Sequence, residues 1–182
     1  TVRAIRFDGE INIDGRLDED IYSSVAPMSD FIQNLPDDGA PASEKTEVWV
    51  FYDDDNIYVT AKNYESVPEE DWVANEMRRD TFQLRTNDSF SVMLDTFLDR
   101  RNGVAFLVTP IGGFSDFAIS NEGDRGRGVN FDWNIVWDSR VGRFDGGWTV
   151  EMEIPFRSLR YEPGDEQTWG VQFRRIVRRL NE

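Results

Sequence analysis

The run from Asn87 to Arg101 constrains the fold more than any other part of the chain. Phe90, Val92 and Leu94 alternate with Ser89, Ser91 and Met93 between Asp88 and Asp95. This is a period of two, the mark of a strand with one face turned to a core. A charged turn through Asp99, Arg100 and Arg101 follows, and then the apolar stretch at 104–108. The segment therefore reads as two strands and their connection.

The same signal recurs along the chain. Residues 47–52 and 57–61 flank Asp53-Asp54-Asp55-Asn56 as a hairpin with an acidic turn, apolar enough on both strands to be covered on both faces. Residues 114–119 add a strand, and 133–137 and 148–154 read as a second hairpin through Asp145-Gly146-Gly147. In the later strand Trp148, Val150, Met152 and Ile154 face inward, and Thr149, Glu151 and Glu153 are predicted to face solvent. A last strand spans 169–173. Residues 18–25 suit one or two helical turns capped by Asp18, and a short helix is predicted between Pro68 and Asp80. The Gly-rich residues 121–130 carry no apolar period and are expected to form the most mobile loop. Nine or ten closely spaced strands with one or two short helices predict an all-β, antiparallel β-sandwich.

The 182 residues form most simply one domain, 1–182, with 13 Phe, 6 Trp and 5 Tyr to build its core. A net charge of −15, from 35 acidic and 20 basic residues, disfavours nucleic acid and anionic membrane surfaces as partners. Lys45 and Lys62 are the only lysines, so nearly all positive charge is guanidinium, suited to fixed contacts with carboxylates. With neither Cys nor His, the chain has no thiol nucleophile, imidazole base or ordinary zinc site. No apolar run approaches the ~18 residues of a membrane span, so this piece is not expected to insert into a membrane directly.

Several islands carry a resemblance. They are residues 13–19, 46–53, 57–59, 88–101 and 147–160, joined by Thr168-Trp169-Gly170 and the arginine-rich end from Arg174 to Glu182. In this order they resemble the N-terminal domain of a group of large bacterial outer-membrane proteins. That domain is similar to the family 9 carbohydrate-binding modules, which are immunoglobulin-like β-sandwiches. The resemblance implies a non-catalytic, carbohydrate-binding-type module with a glycan ligand. It also implies a larger protein that continues into a C-terminal membrane β-barrel, and a location in the periplasm or at the cell surface. In the family the last strand pair lies beyond the point matching Glu182, so the sandwich is expected to lack an edge. The alternative is a docking domain that has lost sugar binding and packs on its own barrel or on a partner.

Sugar-binding members hold a terminal sugar between two Trp side chains. The first falls on or near Arg85, and the second lies past Glu182. The strand Glu that bonds the sugar aligns with Ser91, and a polar pair on the next strand falls near Leu107 and Thr109. Trp72 is then either a replacement platform or the anchor of a short helix. These positions make Trp72, Arg85, Ser91 and Thr109 the candidate ligand-binding residues. Family members often hold structural calcium with loop carboxylates, although Asp53-Asp54-Asp55-Asn56 departs from an EF-hand, with Tyr58 at its sixth position and Tyr64 at its twelfth. Glu151 and Glu153, about 6–7 Å apart by strand geometry, overlap the spacing of glycosidase carboxylates but read as a solvated pair. Asp88, Asp95, Asp99, Arg100 and Arg101 read as groups that satisfy loop amides and tie turns together.

Overall fold

Alternating strands need a second apolar face to bury their own, and the described residues supply it by dividing ten strands between two sheets. The computed structural model describes residues 2–182, with those at 125 and 126 described by backbone alone. The strands are β1 (Ile5–Arg6), β2 (Thr46–Tyr52), β3 (Asn56–Tyr64), β4 (Ser89–Asp95), β5 (Gly103–Val108), β6 (Phe114–Ile119), β7 (Val129–Asn130), β8 (Asp138–Phe144), β9 (Gly147–Pro155) and β10 (Gly170–Ile176). The first sheet has the order β1-β2-β3-β9-β8 and the second β10-β4-β5-β6-β7. Every pairing is antiparallel except β1 with β2. The fold is the all-β sandwich that the alternation predicts.

Between the sheets, Val59, Val150, Trp148, Met152 and Ile154 meet Phe90, Val92, Phe106 and Val108, all at most 1% exposed. A second apolar cluster lies on the far side of the first sheet. Trp49, Phe51 and Tyr58 point outward there and are covered by Ile5, Ile11, Ile13, Leu17, Ile21 and Tyr22 of the N-terminal segment. The helix α1 (Asp20–Ser24) belongs to this cover and delivers Tyr22 onto Trp49 and Phe51 in edge contacts with centroids 5.5 Å apart.

This cover overturns the solvated reading of Glu151, which is 0% exposed. Its Oε2 accepts the amides of Asp14 at 3.0 Å and Gly15 at 2.7 Å, and its Oε1 accepts the Tyr22 hydroxyl at 3.2 Å. Thr149 is buried beside it and donates to the Gly15 carbonyl at 2.5 Å. The alternation placed Glu151 correctly on the outer face, but that face lies under another layer. Burial raises its pKa from 4.5 to about 7, with the two amide bonds acting against the rise.

Three local expectations also give way. The predicted helix between Pro68 and Asp80 shrinks to a 3-10 turn at Glu69–Asp71, and a second 3-10 turn forms at Phe82–Thr86. The side chains of Asn87 and Asp88 accept the amides of Val73, Asn75 and Glu76, so those amides are not available to a helix ladder. Residues 133–137 are not a strand, because the buried Asp116 carboxylate captures the Ile135 amide at 2.9 Å and the Trp137 indole at 3.1 Å. The partner of β9 is β8 instead. Finally, Glu19 rather than Asp18 is the N-cap of α1, without a side-chain cap bond, and its Oε1 accepts the Asn12 amide. The Gly-rich stretch contains a 3-10 helix at Asn121–Gly126 followed by β7.

An ion pair ties the sheets together at one end. The Arg175 guanidinium on β10 donates to Glu65, just past β3, at 2.6 Å, and also to the carbonyls of Lys45 and Tyr64. Both side chains are nearly inaccessible to solvent. Burial pushes the Glu65 carboxyl up and the Arg175 guanidinium down, and the attraction between them opposes both shifts.

Two predictions follow from the buried charges. Glu65→Ala, which strands the Arg175 guanidinium, is expected to cost about 3–5 kcal/mol in chemical denaturation, and Glu65→Leu with Arg175→Met to recover most of it. A cost below about 1 kcal/mol for the single variant would remove the pair as a clasp. For Glu151, a folded pKa above the unfolded one means stability that is full below about pH 4.5 and lost as pH rises through about 7. The wild type should therefore lose up to about 3 kcal/mol relative to Glu151→Gln between pH 5 and 8, read from paired thermal melts. Parallel pH profiles of the two proteins would show that the carboxyl is not perturbed.

Candidate ligand-binding face

The two outer faces of the sandwich are unlike. The N-terminal segment covers the first sheet, whereas the second sheet is covered over part of its area only. Strand register places Arg174, Ser91, Leu107 and Ser115 in one outward row across β10, β4, β5 and β6. Gln172, Met93, Ala105 and Phe117 form the next row. Leu107, Ala105 and Ser115 are buried, while Arg174 and Gln172 are exposed.

The 3-10 turn at Phe82–Thr86 forms a wall beside these rows. It buries Leu84 completely and leaves Phe82 71% exposed. Beside Leu84, Arg85 reaches toward β6, its guanidinium carbon 4.0 Å from the ring centre of Phe131, 5.4 Å from that of Phe117 and 5.6 Å from that of Phe82. The wall is held from below. The Asn87 Oδ1 accepts the Asn75 and Glu76 amides, and Asp88 accepts the Val73 amide with one oxygen and the Arg178 amide with the other.

The charges of the wall are distributed unevenly. Glu76 is paired with Arg78, whose guanidinium holds its carboxyl down at about 2, and Asp80 is paired with Arg79. Arg85 has rings for neighbours instead. Burial is the main influence lowering its pKa, and the like charge of Arg174 adds to it. Neither Arg85 nor Arg174 forms an ion pair with a carboxylate among the described residues.

Of the residues singled out in the sequence, Arg85 and Ser91 share this face. Ser91 lies in the first of these rows, and its hydroxyl donates to the Arg174 carbonyl at 3.3 Å. Thr109 is fully buried, and its Oγ1 accepts the Gly113 amide at 3.0 Å, closing the turn after β5. Trp72 is half-buried against the main core. Its indole donates to the Val67 carbonyl, and Arg143 lies over its ring. It anchors the turn at Glu69–Asp71 and stands apart from the Arg85 face. Phe82, Phe131 and Arg174 are additions that sequence reasoning missed. The two Phe lie in stretches without a period, and Arg174 lies in what read as an arginine-rich tail, although the alternation of 169–173 continued to Ile176 would have placed it opposite Ser91.

The remaining candidates have structural partners. Asp53 accepts the amides of Asp55 and Asn56 and the Tyr58 hydroxyl, which leaves no carboxylate cage in the acidic turn. No three acidic groups converge to hold a metal ion among the described residues. Asp95 accepts the amides of Asp99 and Arg100, and Asp99 those of Arg101 and Asn102. Glu151 lies under the N-terminal segment, so Glu151 and Glu153 do not face a common substrate. A separate cleft of about 780 Å³ opens where β3 begins and β9 ends, lined by Asp54, Asp55, Asp138, Glu153, Phe156 and Tyr161 among others.

No protein-family model matches the chain, and no curated protein matches it in sequence. Solved structures do match in shape. A family 9 carbohydrate-binding module from Caldicellulosiruptor kristjanssonii in complex with cellotriose superposes with a TM-score of 0.60 at 20% identity, over 95% of this chain and 80% of that one. A structure of such a module from the same organism in complex with glucose gives a TM-score of 0.59 at 20% identity, over 94% and 76%. The chain has the fold of the family 9 carbohydrate-binding modules.

Proposed function

We propose that this chain is a glycan-binding module without catalytic activity of its own. It would work as part of a larger outer-membrane protein, in the periplasm or at the cell surface, and its ligand would lie on the outer face of the second sheet. Fold alone does not carry a function, so the reading rests on the face. The observation that carries it is the exposed Phe82 ring beside a guanidinium stacked on Phe131, above a floor that offers Ser91 and Gln172. A sugar ring has an apolar face and a rim of hydroxyls, and this surface supplies a flat partner for the first and polar groups for the second. The modules of the same fold solved with cellotriose and glucose support the ligand class.

Isothermal titration of the chain against a panel of oligosaccharides tests the proposal. At least one saccharide should give saturable heat, Phe82→Ala should weaken it about three- to tenfold, and Tyr161→Ala in the end cleft should leave it unchanged. No heat with any saccharide, or loss of binding in the Tyr161 variant alone, would overturn the proposed site. In the full-length protein, fixed cross-links from this domain to a barrel that persist in excess sugar would favour the docking role instead.

A further inference from the structure

The inward face of the first sheet changes character at one end. Val59, Ala61, Val150 and Met152 are apolar, but the next residues on that face are Thr46, Asn63 and Trp148, which strand register sets in one row across β2, β3 and β9. The ladder continues past β3, where the Glu65 amide donates to the Gly146 carbonyl at 2.8 Å, and this turns Glu65 to the same side as Asn63. From the opposite sheet the Arg175 guanidinium reaches both neighbours of Asn63, the Thr46 hydroxyl at 3.1 Å and the Glu65 carboxylate at 2.6 Å. Asn63 is thus flanked by the groups that hold the guanidinium, with Trp148 directly opposite it on β9, and both Asn63 and Trp148 are 0% exposed. Among the described residues neither Oδ1 nor Nδ2 of Asn63 has a hydrogen-bond partner, and Trp148 Nε1 and Arg175 Nε have none either. The indole approaches Glu65 without completing a bond to it. Turning the Asn63 amide over changes nothing, since both of its polar atoms are unmatched. Buried polar atoms in a folded domain almost always have a partner, and four in one place call for one that the side chains do not supply.

We propose that the sandwich holds an internal water site at this end, between Asn63, Trp148 and Arg175. The chemistry of the four atoms selects the ligand. Three are N–H donors and one is a carbonyl acceptor, so the occupant must accept from the indole, the guanidinium and the amide and also donate to Oδ1. A metal cation or an ammonium group cannot accept from an N–H. A simple anion cannot donate to Oδ1 and is repelled by the Glu65 carboxylate alongside. Water does both, and a buried water makes two to four such bonds. It also bridges polar groups that face each other without bonding directly, as the Trp148 indole and Glu65 do. The Glu65–Arg175 clasp is then a hydrated one, and its water carries the tie from β10 and the end of β3 on to Trp148 of β9. This site is independent of what the outer face of the second sheet binds.

Two measurements on the intact chain test the site. A crystal structure at about 1.5 Å should show ordered water density at about 2.7–3.2 Å from the Asn63 amide and from Trp148 Nε1 or Arg175 Nε. In solution, the Trp148 indole proton and the Asn63 side-chain amide protons should give cross-relaxation peaks to water with the sign of a long-lived bound molecule. Asn63→Leu removes two of the four atoms and should abolish the peak at the indole, with a dispersed amide spectrum as the control on folding. If that variant does not fold, the two wild-type measurements decide alone. An Asn63 amide bonded straight to Thr46, Glu65 or Arg175 with no density between them would overturn the proposal. So would an indole proton without a water peak, or a peak that is unchanged in the folded variant.

Discussion

The structure depends on β9 being buried on both faces. Strand alternation normally gives a residue like Glu151 to water, and here the same position lies under a second layer. An ionisable group in that place needs donors, and the chain supplies them from its own beginning, as the Asp14 and Gly15 amides and the Tyr22 hydroxyl. The backbone comes so near that a Cβ on Gly142 would lie 2.0 Å from the Gly15 carbonyl oxygen, and Gly15 itself has φ +90°. The polar bonds around Glu151 and Thr149 orient the covering segment, and the apolar contacts to Trp49, Phe51 and Tyr58 hold it there.

That cover makes the two sides of the sandwich different. One outer face is filled by the first part of the chain, and the other is left for the shorter wall between β3 and β4. The Glu65–Arg175 pair secures β10 against the first sheet at the end where the wall stands, so the sheet beneath the wall is braced from the inside. Binding chemistry can then occupy the outer surface without weakening the core, because Phe90, Val92 and Leu94 point one way and Ser91 and Met93 the other.

The sandwich was legible in the sequence because a period of two survives in β4 and β9 almost without interruption. Periodicity assigns a residue to a face but does not say what lies over it, which is why Glu151 read as solvated. The segment at 68–80 looked helical from its acidic first turn. Asn87 and Asp88, further along the chain, take the amides that such a helix would need. The same kind of capture by Asp116 removes the strand at 133–137. For the candidate face, Arg85 and Ser91 were visible through family resemblance alone, and the rings that flank Arg85 come from separate loops that no local pattern joins. Of the two readings of Trp72, platform or anchor, its contacts with backbone and core are those of the anchor, whereas Thr109 was legible as a position but not as packing.

The shape of the wall comes from backbone amides bonded to Asn87 and Asp88 and from the buried Leu84, whereas the Phe82 ring is largely exposed and takes little part in holding it. Positions that would select a ligand are thereby separated from positions that keep the loop in place. Exchange of the exposed Phe82 for other residues can alter what the face accepts at small cost to folding, while a change at Asn87 or Asp88 would release several backbone amides at once. In evolutionary terms the wall is a mount with replaceable fittings, and chains of this kind can diverge in specificity while the sandwich beneath them stays the same.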